Sequence, residues 1–212
     1  MSREKLAAPE LAAIDVQGVT RQSFIMRGAV TAGAVYGLGA VGPFVTQAMS
    51  QEGGGDVEIL NFALTLEYLE TAYYTQALKR IAGLSGNVKS LATEIRDNEA
   101  EHVDALMRTI EDLGGTPVKA PGVDFGDAFT SERSFLKLAQ TLEDTGVSAY
   151  NGAAPAIEST EVLAAAGSIV QVEARHAAAI RALIGNPISD GGFDKTLEMQ
   201  QVLDAVKPFV KS

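Results

Sequence analysis

Both histidines of this 212-residue chain stand three residues after a glutamate, in Glu99-x-x-His102 and Glu173-x-x-His176. Residues three apart lie on one face of a helix, so each pair can turn a carboxylate and an imidazole toward the same point. A single glutamate precedes each pair, Glu67 by 32 residues and Glu143 by 30, and seven residues after each single glutamate comes a tyrosine, Tyr74 or Tyr150. The chain therefore carries one set of groups twice. At helical spacing Glu67 shares a face with Leu60, Leu64 and Tyr74, and Glu99 and His102 fall between Ile95 and Leu106. Glu143 adjoins Leu142, while Glu173 and His176 fall between Ile169 and Ile180. These are positions where a helix buried on one side carries its apolar stripe. Glu70, one turn after Glu67, is the rival for the first position. The match of Glu67–Tyr74 to Glu143–Tyr150 favours Glu67 and makes Glu70 a surface acid or an outer neighbour of the site.

Four carboxylates gathered inside a helical core would repel one another, and each would cost several kcal/mol to desolvate alone. Basic side chains do not answer them. Arg175 lies off the Glu173–His176 line, and the first helix offers only Lys79 and Arg80 at its end. Two divalent cations would satisfy all six groups and leave the set close to neutral. A Glu and a His at i and i+3 can bind the same ion, with the single Glu of each half as a terminal or bridging ligand. Iron and manganese take the same oxygen and nitrogen donors, so the residues do not choose between them.

The arrangement resembles the ferritin-like superfamily of di-iron and di-manganese carboxylate proteins, which includes ferritins, rubrerythrins and manganese catalases. Leu66-Glu67-Tyr68-Leu69-Glu70 and Val172-Glu173-Ala174-Arg175-His176-Ala177-Ala178 are most similar to exported bacterial ferritin-like proteins related to desiccation-associated plant proteins. The resemblance implies metal ligands Glu67, Glu99, His102, Glu143, Glu173 and His176, holding two Fe or two Mn ions per chain. It also implies that Tyr74 and Tyr150 hydrogen-bond toward bridging carboxylates. Gly146, just past Glu143, would then leave room beside the metals for a small ligand such as peroxide or dioxygen.

Four helical stretches position these groups, giving an all-α, antiparallel four-helix bundle with one long crossover. The first runs from Val57 to Ile81 and is broken by Gly83-Leu84-Ser85-Gly86-Asn87; the second runs from about Val88 to Leu113 and stops at Gly114-Gly115. A link with Pro117, Pro121, Gly122 and Gly126 follows. The third helix starts near Ser131, which can cap it, and Pro155 should end it. The fourth covers about Thr160 to Ile184, up to Gly185-Asn186-Pro187. A short C-terminal helix is expected over Lys195–Val206. The domain plan is thus a bundle over 57–186, a linker over 51–56 whose Asp56 can cap the first helix, and a C-terminal extension over 187–212.

Residues 1–50 are of another kind. They carry four Lys/Arg and three Asp/Glu, whereas residues 51–212 carry 13 and 24, so the formal charge of −10 belongs to the second part. Uncharged sequence rich in Gly, Ala and Val follows Arg27 and ends at Ala48-Met49-Ser50, a small-x-small cleavage site. This is the layout of an export signal. Thr20-Arg21-Gln22-Ser23-Phe24-Ile25 resembles the twin-arginine motif, with Gln22 where the second Arg belongs. The alternative is a retained membrane anchor over residues 25–48. The expected location is therefore extracytoplasmic, such as the periplasm.

The acidic balance, without clustered Lys or Arg, excludes a nucleic-acid partner. The absence of Cys excludes disulfides, iron–sulfur clusters and Cys-ligated zinc. The expected function is redox handling of peroxide or dioxygen at a dinuclear centre. The alternative is a non-catalytic metal-binding or stress-protective bundle. A homo-oligomer is compatible with either, but an export signal and an extended C-terminus do not suit a closed storage shell.

Overall fold

The computed structural model describes residues 55–211. The expected export signal or anchor lies outside them, as do its cleavage site and most of the linker. Five α-helices follow in order: α1 Asp56–Arg80, α2 Gly86–Asp112, α3 Glu132–Ala153, α4 Thr160–Leu183 and α5 Met199–Val206. α1 packs chiefly on α2 and α3 on α4, making two antiparallel hairpins that face each other. The fold is the expected all-α bundle. Among the described residues no helix is long and apolar enough to cross a membrane.

The helix ends follow from local chemistry. α2 stops where Gly114 takes φ +78°, which only glycine adopts freely, and Gly115 N–H returns to the Ile110 carbonyl at 2.8 Å. Ser131 caps α3 as expected, its hydroxyl accepting from the Ser134 N–H at 3.1 Å. Pro155 sits in the short 3₁₀ turn Ala154–Ala156 that ends α3. Asp56 departs from expectation. Its carboxylate caps not its own helix but the start of α4, accepting from Glu158 N–H at 2.7 Å and Ser159 N–H at 2.8 Å. The crossover between the hairpins is stapled to α1 by Asn61, which donates to Thr116 O and accepts from Val118 N–H.

The C-terminal helix is shorter than expected. Glu198 and Gln201 form a reciprocal cap that fixes its start at Met199, leaving Lys195–Leu197 irregular. The extension packs on the bundle, with Val202, Leu203 and Val206 buried in the core. Gly152 of α3 makes its approach possible: a Cβ there would stand 2.0 Å from the Leu197 carbonyl oxygen. Gly152→Ala is therefore expected to displace the segment and cost about 1–3 kcal/mol, the usual range for overpacking. The test is a thermal midpoint lowered together with faster proteolysis around residues 187–198.

The core falls into two apolar clusters. One gathers Tyr73, Tyr74, Phe125, Phe129 and Phe135 with α5. The other gathers Leu60, Leu64, Leu106, Ile110, Val162 and Ile169. On α2 and α4 the Glu-x-x-His pairs fall between residues of the two clusters. The acids therefore interrupt the core at mid-bundle.

Candidate metal centre

Each helix contributes from its inner face. α1 brings Glu67, α2 Glu99 and His102, α3 Glu143, and α4 Glu173 and His176. The four glutamates are 0% exposed, and the histidines 8% and 5%. Glu67, Glu99, His102 and Glu173 each place one ligand atom within 4.8 Å of the others, and so do Glu99, Glu143, Glu173 and His176. Glu99 and Glu173 belong to both sets, whereas Glu67 and Glu143 belong to one each. The sequence left open which acids would be shared, and the geometry singles out those of the Glu-x-x-His pairs.

Hydrogen bonding within the cluster is incomplete in a telling way. His102 Nδ1 lies 3.3 Å from Glu67, 3.0 Å from Glu99 and 3.1 Å from Glu173. One ring nitrogen carries at most one proton, so it cannot serve three carboxylates. His176 Nδ1 lies 2.9 Å from Glu99 Oε1, yet neither atom makes a hydrogen bond. Glu99 Oε1, Glu143 Oε2 and both oxygens of Glu173 are buried without a hydrogen-bond partner, which is half of the eight oxygens on the four acids. Buried polar atoms are rarely left so. The donor set of carboxylate oxygens and imidazole nitrogens fits hard or borderline divalent ions.

The electrostatics describe the same surplus of anions. Burial pushes the Glu67 carboxyl up to about 8. Burial and repulsion from Glu67 and Glu99 raise Glu173 well above the usual range. Glu143 is raised by burial as well. At Glu99 burial acts in the same sense, but the hydrogen bond with His102 and the close approach of the His176 imidazolium outweigh it and hold the carboxyl down to about 2. Burial disfavours the imidazolium forms, yet the carboxylates around them raise His102 to about 12 and His176 to about 10. In the metal-free protein the histidines thus act as cations for the acids.

A family model described as ferritin-like domain matches residues 55–186. The chain belongs to the ferritin-like domain family. No curated protein matches it. The match covers all six of the donors named above.

Within this ferritin-like bundle the tyrosines cross between halves. Tyr74 of α1 donates to Glu143 of α3, and Tyr150 of α3 donates to Glu67 of α1 at 2.5 Å. Each phenol thus holds an acid that belongs to one donor set, not one of the two shared acids. Of the two places expected for Glu70, burial excludes the surface: it is 3% exposed and lies inside, next to the cluster. The space beside Gly146, expected to admit a small ligand, is bounded by acids: a Cβ there would stand 3.3 Å from both Glu70 Oε1 and Glu173 Oε2.

Two residues escaped sequence reasoning. Arg181 is 8% exposed, but it is committed elsewhere, to Asp144 and Asp190 at 2.8 and 2.7 Å. Asn98 lies beside Glu99, and its side-chain amide meets His176 Nε2 at 3.0 Å. The matching position before Glu173 is Val172, which offers no such contact. A hydrogen bond at the far ring nitrogen fixes which nitrogen is free to bind an ion. Asn98→Val is expected to weaken the ion held with His176 by about tenfold or more and to spare the one held with His102. Competitive Mn²⁺ titration checks this, and equal weakening of both ions would refute it.

Proposed function

We propose that this protein holds a pair of Fe or Mn ions on Glu67, Glu99, His102, Glu143, Glu173 and His176, and uses them on peroxide or dioxygen. The observation that carries the metal reading is the set of four buried carboxylate oxygens without a hydrogen-bond partner, gathered about two imidazoles with no lysine or arginine paired to them among the described residues. Such a pair would supply one-electron steps between the +2 and +3 states.

The protein's own part is positional. Glu99 and Glu173 stand between the two histidines. Tyr74 and Tyr150 orient Glu143 and Glu67, and burial keeps both phenols protonated, so they act as hydrogen-bond donors. The apolar clusters on either side keep bulk water from the acids, which strengthens every interaction among them.

The alternative, a metal pair that only stabilises the bundle, is favoured by the buried Glu70 at the place where a small ligand was expected. Elemental analysis of protein purified from its own host tests the first step: two Fe or two Mn per chain is expected, and none would end the metal reading. Oxygen evolution from peroxide, or oxidation of Fe²⁺ by dioxygen, separates catalysis from a structural role. Export belongs to the same proposal and is supported by the charge layout of residues 1–50. A mature N-terminus near Ser50 in an extracytoplasmic fraction is the expected result, and full-length protein confined to the cytoplasm would refute it.

A further inference from the structure

We propose that Glu70 is a seventh ligand of the metal pair, a fifth carboxylate taken up on the side that Gly146 leaves open. This rests on the metal-pair reading above. The two halves of the chain are matched at Glu67 and Glu143, and three residues after each stand Glu70 and Gly146. These counterparts, one with a long acid and one with no side chain, are brought face to face between α1 and α3. A Cβ on Gly146 would meet Glu70 Oε1 and Glu173 Oε2 at 3.3 Å each, tight enough that one of them must move. The glycine makes room for a carboxylate.

That carboxylate has no evident reason to be inside. Glu70 is 3% exposed and forms no hydrogen bond or ion pair among the described residues. What faces it is charge of its own sign, from Glu173, Glu143, Glu99 and Glu67. A leucine would fill the same volume without the desolvation cost. Arg181, the nearest candidate for a counter-charge by burial, is spent on Asp144 and Asp190. Beside Glu70 stands Glu173, both of whose oxygens are buried and unbonded. A cation placed between them would answer both acids. As the side chains stand Glu70 lies in neither donor set. It reaches the ions by rotation about its own side-chain bonds, which the missing side chain at position 146 permits. The charge count gives it a purpose: four carboxylates balance two divalent ions, and a fifth balances a pair carrying one positive charge more.

The test is titration of the metal-free protein with Mn²⁺, followed by calorimetry and by the electron paramagnetic resonance spectrum of the bound pair. Wild type is expected to bind two ions per chain with an exchange-coupled spectrum. Glu70→Gln keeps shape and removes the charge, and is expected to weaken one ion by about tenfold or more and to change the spectrum. Its metal-free thermal midpoint should be unchanged or higher. Gly146→Ala, which crowds the carboxylate, should shift the spectrum in the same direction. Wild-type affinity and spectrum in Glu70→Gln would overturn the inference and leave the metal pair intact. A metal-free midpoint that falls along with the affinity would overturn it too, by showing a packing role. No binding by wild type would overturn the metal reading itself.

Discussion

Glu99→Gln is expected to abolish binding of both metal ions, whereas Glu67→Gln or Glu143→Gln leaves one bound. The difference comes from geometry. Glu99 Oε2 faces His102 Nδ1 at 3.0 Å and Oε1 faces His176 Nδ1 at 2.9 Å, so one side chain supplies an oxygen to each donor set. Glu67 and Glu143 each supply only one set. Removing the shared anion lowers affinity at both positions by an amount on the order of 100-fold or more, beyond what outer hydrogen-bond partners contribute. Glu173→Gln should behave like Glu99→Gln. The metal-free Glu99→Gln protein should also lose stability, because both imidazoles keep their other acids but lose the one lying between them. Breaking a buried ion pair costs about 3–5 kcal/mol. Calorimetric Mn²⁺ titration, with circular dichroism to confirm the helices, reads both effects. One ion bound at wild-type affinity in Glu99→Gln would show that the carboxylate is not shared.

The six donors were legible because their signal is local. A Glu and a His three residues apart define a helix face without reference to the rest of the chain, and the second copy repeats the first. The helices were legible for a similar reason, since Gly114-Gly115, Pro155 and Gly185-Asn186-Pro187 mark where they end. What the sequence hid lies between elements distant in the chain. Glu70 looks unmatched when the halves are compared in register, because its counterpart is Gly146. Only the packing of α1 on α3 shows that the acid and the glycine answer one another. The tyrosines were found without their individual partners, since the seven-residue spacing to Glu67 and Glu143 says nothing of Tyr74 reaching across to Glu143. Asp56 reads as the cap of the helix it begins, and its real partners on Glu158 and Ser159 are over 100 residues away. Asn98 carries no signal of its own in the sequence. Its contact with His176 is 78 residues distant and leaves no periodic trace.

Raising the pH is expected to weaken the metal-free protein and strengthen its hold on metal, so that the two forms diverge. Around the centre the titrating groups are Glu67 and Glu70 on α1, Glu99 and His102 on α2, Glu143 on α3, and Glu173 and His176 on α4, with Tyr74 and Tyr150 protonated throughout. Burial pushes the Glu67 carboxyl up to about 8 in the folded protein, from an ordinary value of 4.5. His102 and His176 titrate near 12 and 10 when folded, against 6.5. Between pH 6.5 and 8 the folded metal-free protein therefore keeps protons on all three groups that the unfolded chain releases. Where the folded state binds more protons, stability falls as pH rises. Glu99, held near 2, works the other way, but its contribution is lost only as pH falls below 4.5. The metal-free midpoint should thus decline from pH 6.5 upward. Metal binding requires the same protons to leave, so affinity rises over the same interval. An ion at about 100 times its dissociation constant adds about 2.7 kcal/mol, and two such ions raise the midpoint of a domain this size by about 10–20 °C. The separation between loaded and metal-free melting curves should therefore be small near pH 6 and widest at pH 8 or above. Calorimetric scans across that range, with and without Mn²⁺, measure it directly. A separation that narrows with pH would mean that the ions bind elsewhere than among these acids.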